Sequence, residues 1–174
     1  MRKKRLLQLT AALLCVVLLS ACGGAPADAD YTCTVSISCA TILDNMDQCA
    51  ESKKELVPAD GVILPSTEVA FAEGESAFDV LQRVCRDNGI HLESKFTPVY
   101  NSAYIQGIHN IYEFDVGKLS GWMYAVNDWF PNYGCSLYQV QDGDVIRWVY
   151  TCDLGADVGG GQAAGDGQQE GAST

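Results

Sequence analysis

Basic residues are scarce in this chain, and four of its eleven Lys and Arg stand together at positions 2–5. Only seven remain beyond them, against all twenty-two Asp and Glu, so residues 22–174 carry a formal charge of −15. A surface of that sign repels phosphate backbones, and no stripe of Lys and Arg overrides it, which excludes nucleic acid as a partner. Histidine is scarcer still. His91 follows a helix-stop signal and His109 sits in the polar turn GIHN; neither has a nucleophile or carboxylate at the spacing of a triad or a metal site. No CxxC occurs, which leaves a thioredoxin-like redox site or a zinc ribbon without support. Ser120 in LSGW is not a GxSxG elbow. Asp142-Gly143-Asp144 offers too few ligands for a calcium loop and reads as ordinary turn chemistry. The expectation is a protein that is not an enzyme and that holds neither cofactor nor metal.

A long apolar run is also missing. The stretch from Ala11 to Leu19 is too short for a comfortable membrane span, but with Arg2, Lys3, Lys4 and Arg5 before it and small residues after it, it reads as an export signal. Cys22 stands directly after Leu19-Ser20-Ala21. That spacing resembles a bacterial lipoprotein box, in which the cysteine is acylated and becomes the first residue of the mature protein. Residues 1–21 are then a lipoprotein signal peptide and Cys22 the lipidation site. The mature protein is expected on the extracytoplasmic face of the cell membrane, anchored to it and not spanning it.

Beyond the signal the chain divides by composition. Residues 22–30 are small and polar and read as a flexible tether. Residues 31–154 hold every Trp, Tyr and most of the large aliphatics, enough for one small domain. From residue 155 the chain is rich in Gly, Gln and Ala, with only Val158 as a large aliphatic, so residues 155–174 are expected to be disordered.

Inside the domain TVSISC alternates, placing Val35, Ile37 and Cys39 on one face. EVAFAE alternates again through Val69 and Phe71. One clear helix comes next, over about 76–89: Ser76 can cap it, Asp79 completes the cap, Ala77, Val80, Leu81, Val84 and Cys85 recur at helical spacing, and Asn88-Gly89 stops it. Strand-like runs come near 91–97, 103–108, 121–126 and 145–151, punctuated by Asn127-Asp128 and Asp142-Gly143. This is an α+β domain in which one helix crosses a mixed sheet.

Residues 96–151 extend the reading to a family. YIQGI ends a strand in a glycine turn, GWMYAVND carries a tryptophan strand, and a glycine-containing loop leads to Tyr138-Gln139-Val140-Gln141-Asp142-Gly143-Asp144-Val145-Ile146-Arg147-Trp148, read as a hairpin. This order resembles the transcobalamin-like C-terminal domains of bacteria, which are similar to the small C-terminal domain of the vitamin B12 carriers transcobalamin and intrinsic factor. The resemblance covers roughly residues 66–151. It implies a β-grasp-like sheet and a ligand-binding module for cobalamin or a related corrinoid, with cobalamin as a bound ligand rather than a cofactor. The carriers clasp the corrinoid between this domain and a large helical one, which has no counterpart here. A membrane transporter or a second binding protein is therefore the implied partner.

Six cysteines lie beyond Cys22, an even number in a chain expected outside the cytoplasm, which points to disulfides. In the implied β-grasp sheet the first and last strands run parallel at the centre. Cys39 ends one and Cys152 the other, so their pairing is expected. Cys85, on the apolar helix face, is expected to be a buried free thiol.

The remaining feature is aromatic. Trp122, Tyr124, Trp129, Phe130, Tyr133 and Tyr138 crowd one segment, with Tyr100 and Tyr104 upstream. Alternation in GWMYAV sends Trp122, Tyr124 and Val126 to one face, as core. Trp129-Phe130-Pro131-Asn132-Tyr133 has no such periodicity. Aromatics with amide neighbours suit flat, partly polar ligands, and the candidate ligand-binding residues are Tyr104, Trp129, Phe130, Asn132 and Tyr133. The alternative is a cell-surface interaction module that recognises protein or glycan.

Overall fold

A computed structural model describes Pro26 and residues 29–160. The signal segment, Cys22, most of the tether and residues 161–174 lie outside the described residues. Among the described residues seven strands and one α-helix succeed one another: β1 (Tyr31–Ser38), β2 (Val62–Phe71), α1 (Ala77–Asp87), β3 (Leu92–Thr97), β4 (Ser102–Ile108), β5 (Ile111–Tyr112), β6 (Gly121–Val126) and β7 (Val145–Thr151). Short 3-10 helices at Ala40–Asn45 and Glu51–Leu56 fill the long connection between β1 and β2. Among the described residues no helix is long and apolar enough to cross a membrane.

The protein is an α+β domain. Its main sheet has the order β2-β1-β7-β6, and a second, antiparallel sheet has the order β3-β4-β5. β1 and β7 pair in parallel at the centre of the first sheet, with Val35 opposite Ile146 and Ile37 opposite Trp148. β6 pairs antiparallel to β7, with Tyr124 opposite Trp148 and Trp122 opposite Tyr150. Because side chains alternate along a strand, these registers put Cys33, Val35, Ile37, Trp122, Tyr124, Val126, Ile146, Trp148 and Tyr150 on one buried face, where they form a single core with α1.

The helix starts where the sequence places it. Ser76 Oγ accepts from the Asp79 backbone N–H, and the Asp79 carboxylate accepts from the Ser76 N–H at 2.9 Å, completing a capping box. Arg83 is buried on this helix, ion-paired to Glu75 and donating to the Ala70 carbonyl at 2.9 Å. A buried guanidinium is tolerable only with such partners, and these fasten α1 to the end of β2.

Three expectations change. The segment Tyr138–Gln141 does not pair with β7 as a hairpin arm; it turns to the start of α1, where the Ala77 N–H donates to the Tyr138 carbonyl and the Val140 N–H to the Glu75 carbonyl, both at 2.9 Å. All six described cysteines are free thiols, so no Cys39–Cys152 disulfide is formed. Cys39 is fully buried at the end of β1, whereas the Cys152 sulfur lies 3.8 Å from Thr41 Oγ1. Cys39 and Cys152 follow the ends of the paired strands β1 and β7, and neighbouring strand ends do not by themselves give two sulfurs the geometry of a bond. Cys85 is a buried free thiol, in keeping with its place on the apolar helix face.

The third change is the C-terminal boundary. The chain beyond Leu154 turns back on the sheet as a 3-10 turn at Ala156–Val158. Thr151 donates its hydroxyl to Asp157, and the Cys152 N–H donates to the same carboxylate at 2.7 Å. Gly160 is buried, and a Cβ there would meet Met123 and Phe130 at 3.0–3.1 Å. Residues 155–160 are thus part of the domain, because glycine lets the backbone itself pack where a side chain would not fit.

Candidate ligand-binding face

The β3–β4 turn and the loop between β6 and β7 come from distant parts of the chain and meet at Ser102. The Oγ atoms of Ser102 and Ser136 are 3.0 Å apart, and the Ala103 N–H donates to Ser136 Oγ at 2.9 Å. Gly134 makes the approach feasible: a Cβ there would lie 1.6 Å from Ser102 Oγ. The Tyr124 hydroxyl, rising from β6, donates to the Tyr133 carbonyl at 3.0 Å and fixes the loop from beneath. Burial pushes the Tyr124 phenol well above its ordinary value, so it remains a donor.

The loop is also held at its ends. Asn127 and Asp128 both take positive φ, 50° and 65°, as a tight two-residue turn requires, and the Val126 N–H donates to the Trp129 carbonyl at 2.8 Å. Asp144 is buried and accepts from Asn127 Nδ2, the Tyr138 hydroxyl and the Gln141 N–H, each at 2.8 Å. One carboxylate therefore ties together both shoulders of the loop. The sequence signal for this role is weak, since Asp-Gly-Asp is what an ordinary turn also looks like.

Between the two loops lies a groove of about 370 Å³. Thr97 and Tyr100 form one wall, Pro131 to Gly134 the other, and Ser102 to Tyr104 the floor. Tyr104, Asn132 and Tyr133, three of the five residues expected from the sequence, are brought together here. Tyr100, Thr97 and Ser102 complete the groove; of these only Tyr100 carries a sequence signal, as part of the aromatic cluster. The Tyr104 hydroxyl donates to Glu113, and burial together with that bond pushes its phenol up to about 12. Burial also raises the Tyr133 phenol. Both rings are neutral at physiological pH and present apolar faces with polar tips.

The other two expected residues separate. Trp129 is 47% exposed and stands beside the groove, its ring centroid 5.9 Å from that of Tyr133 in an edge-to-face arrangement. Phe130 is only 5% exposed and belongs to the core, so it cannot touch a ligand in the groove. The chain is extended on leaving the Asn127-Asp128 turn, and consecutive side chains then point to opposite faces.

A larger cavity, about 560 Å³, opens beside Tyr31 and is walled mainly by Glu73, Gln139, Gln141 and Asp142. Its lining combines these two carboxylates and two amides with the Tyr31 and Phe71 rings. Among the described residues no group of three or more His, Cys, Asp and Glu is arranged to hold a metal ion. The two histidines meet through backbone alone, the His109 N–H donating to the His91 carbonyl at 2.8 Å.

Residues 74–152 match a family model described as a domain of unknown function, DUF4430. No curated protein matches the chain. Among solved structures the chain is similar to haptocorrin in complex with Cbi, at 14% identity and a TM-score of 0.48, over 71% of this chain and 26% of haptocorrin. The chain thus spans about a quarter of that protein. It is also similar to a protein of Ruminococcus gnavus ATCC 29149 with a proposed metal-binding function, at 14% identity and a TM-score of 0.41, over 70% of this chain and 97% of that one.

Proposed function

We propose that this protein is a non-catalytic ligand-binding module, held by lipid at Cys22 on the extracytoplasmic face of the cell membrane. The observation that carries the reading is the tyrosine-walled groove at the meeting of two distant loops. Three phenol rings with an amide, a proline and two hydroxyls around them suit a flat, partly polar molecule. The finer reading is a cobalamin or a related corrinoid, supported by the order of motifs from Tyr104 to Trp148 that resembles transcobalamin-like domains. A groove of about 370 Å³ would grip only part of so large a molecule. That size implies weak affinity, or a second protein closing the other side before hand-over to a membrane transporter.

Calorimetric titration of the purified chain with cyanocobalamin and with cobinamide tests the finer reading. Heat saturating at one equivalent supports it, and Tyr133→Ala should then weaken the binding. Silence up to millimolar ligand removes the corrinoid. A second reading, a cell-surface module recognising protein or glycan, is favoured by Phe96, Val99 and Tyr100, which are 59%, 85% and 73% exposed around the β3–β4 turn. Single exposed apolar residues are ordinary, but three so close together form a patch suited to a partner.

A further inference from the structure

Tyr104 is shared between two cavities. Beyond the tyrosine groove, a second cavity of about 380 Å³ is lined by Tyr104, Phe114, Leu119, Met123 and Leu154, with Lys118 among its walls. Phe114, Leu119 and Leu154 are exposed there. Tyr104 is in the lining of both hollows, which together make up the trough.

The charges around Tyr104 are unusual for so acidic a domain. Of the seven Lys and Arg among the described residues, five are ion-paired, to Asp115, Glu51, Glu75, Asp87 and Asp128. The two without a carboxylate partner among the described residues are Lys95 and Lys118. Lys95 stands directly opposite Tyr104 in the β3–β4 ladder, and Lys118 shares the second cavity with it. Glu113, also at this place, receives the Tyr104 hydroxyl and pairs with neither lysine. Acidic residues outnumber basic ones about threefold beyond the signal segment, so an unpaired cation is the exception, and both exceptions stand beside Tyr104, Lys95 as its partner in the ladder and Lys118 in the cavity that it lines.

We propose that the trough binds a flat or elongated apolar small molecule bearing one anionic group, with its body on the tyrosine and leucine walls and its acid met by Lys95 and Lys118. Apolar walls supply the burial; the two lysines supply the selection for charge. This rests on the reading of the tyrosine groove as a binding site and adds the sign of the ligand. Each exposed lysine contributes little alone, so the preference should be about three- to ten-fold, and salt should screen it.

Two fluorescent probes with nearly the same rings separate the claims: anilinonaphthalene sulfonate, which is anionic, and phenylnaphthylamine, which is neutral. The purified chain should bind the sulfonate several-fold more tightly. The Lys95→Gln/Lys118→Gln variant should lose that preference while binding the neutral probe as before, and Tyr104→Ala should weaken both. If the neutral probe binds and the lysine variant leaves the sulfonate unchanged, the anionic ligand is refuted and the groove stands. If sulfonate binding ignores Tyr104→Ala, the probe sits elsewhere and the inference is overturned. Failure of both probes to bind refutes the trough and the groove together.

Discussion

Trp129 and Phe130 are neighbours in sequence with opposite environments, and truncating each in turn should give opposite results. Phe130 is 5% exposed and packs against Met123 and the buried Gly160 turn. Replacing a buried phenylalanine by alanine removes its transfer energy and leaves a cavity, costing about 3–4 kcal/mol. At about 4 °C per kcal/mol for a domain of this size, Phe130→Ala should melt roughly 12–16 °C below the parent. Trp129 is 47% exposed, with its ring contact to Tyr133 centred 5.9 Å away. Loss of such a contact costs about 1 kcal/mol, so Trp129→Ala should melt within about 5 °C of the parent. Its effect belongs instead on binding, because it supports the Tyr133 wall; affinity for the neutral naphthylamine probe should fall about two- to five-fold. Thermal melts and probe titrations of both variants decide the matter. Should Trp129→Ala unfold the domain and Phe130→Ala leave it intact, the two faces of the loop have been exchanged and the binding site belongs elsewhere.

Gly134→Ala should cost about 1–3 kcal/mol through the clash with Ser102, and Ser102→Gly in the same chain should return part of it; urea denaturation that finds no loss, or no rescue, contradicts the close approach. A chain ending at Leu154 should melt several degrees below one ending at Gly160, since it loses the Asp157 hydrogen bonds and the cover over Met123 and Phe130; equal melting temperatures would restore the boundary at Leu154. Burial holds the Cys85 thiol up at about 12 and that of Cys39 at about 11, against an ordinary 9.0. Above about pH 9 the unfolded chain releases thiol protons that the folded one keeps, so stability should fall as pH rises; a melting temperature flat from about pH 8 to 11 would refute buried, protonated thiols. Cys22→Ala, once its signal is removed, should leave the membrane fraction after a high-salt wash; continued partitioning into membranes would exclude the acyl anchor.

The sequence alone determined those features that are written in short, local patterns. Alternation in TVSISC and GWMYAV marked the faces of β1 and β6, and helical spacing and a Ser76–Asp79 cap marked α1. Each depends on residues within one turn or one strand of each other, where backbone geometry leaves few choices. The tertiary structure decided whatever needs two distant segments to meet. Only the fold buries Phe130 under the Gly160 turn, makes Asp144 the tie between Asn127 and Tyr138, and carries Tyr138–Gln141 away from β7 to the helix start. It leaves Cys39 and Cys152 unpaired although their strand ends are neighbours, since a disulfide depends on side-chain direction as well as on proximity. It joins Tyr100 and Tyr104 to Asn132 and Tyr133 in one groove and sets Lys95 and Lys118 around the same tyrosine. Periodicity reports which face a side chain takes; it does not report what lies opposite, because that is set by loop closures across tens of residues.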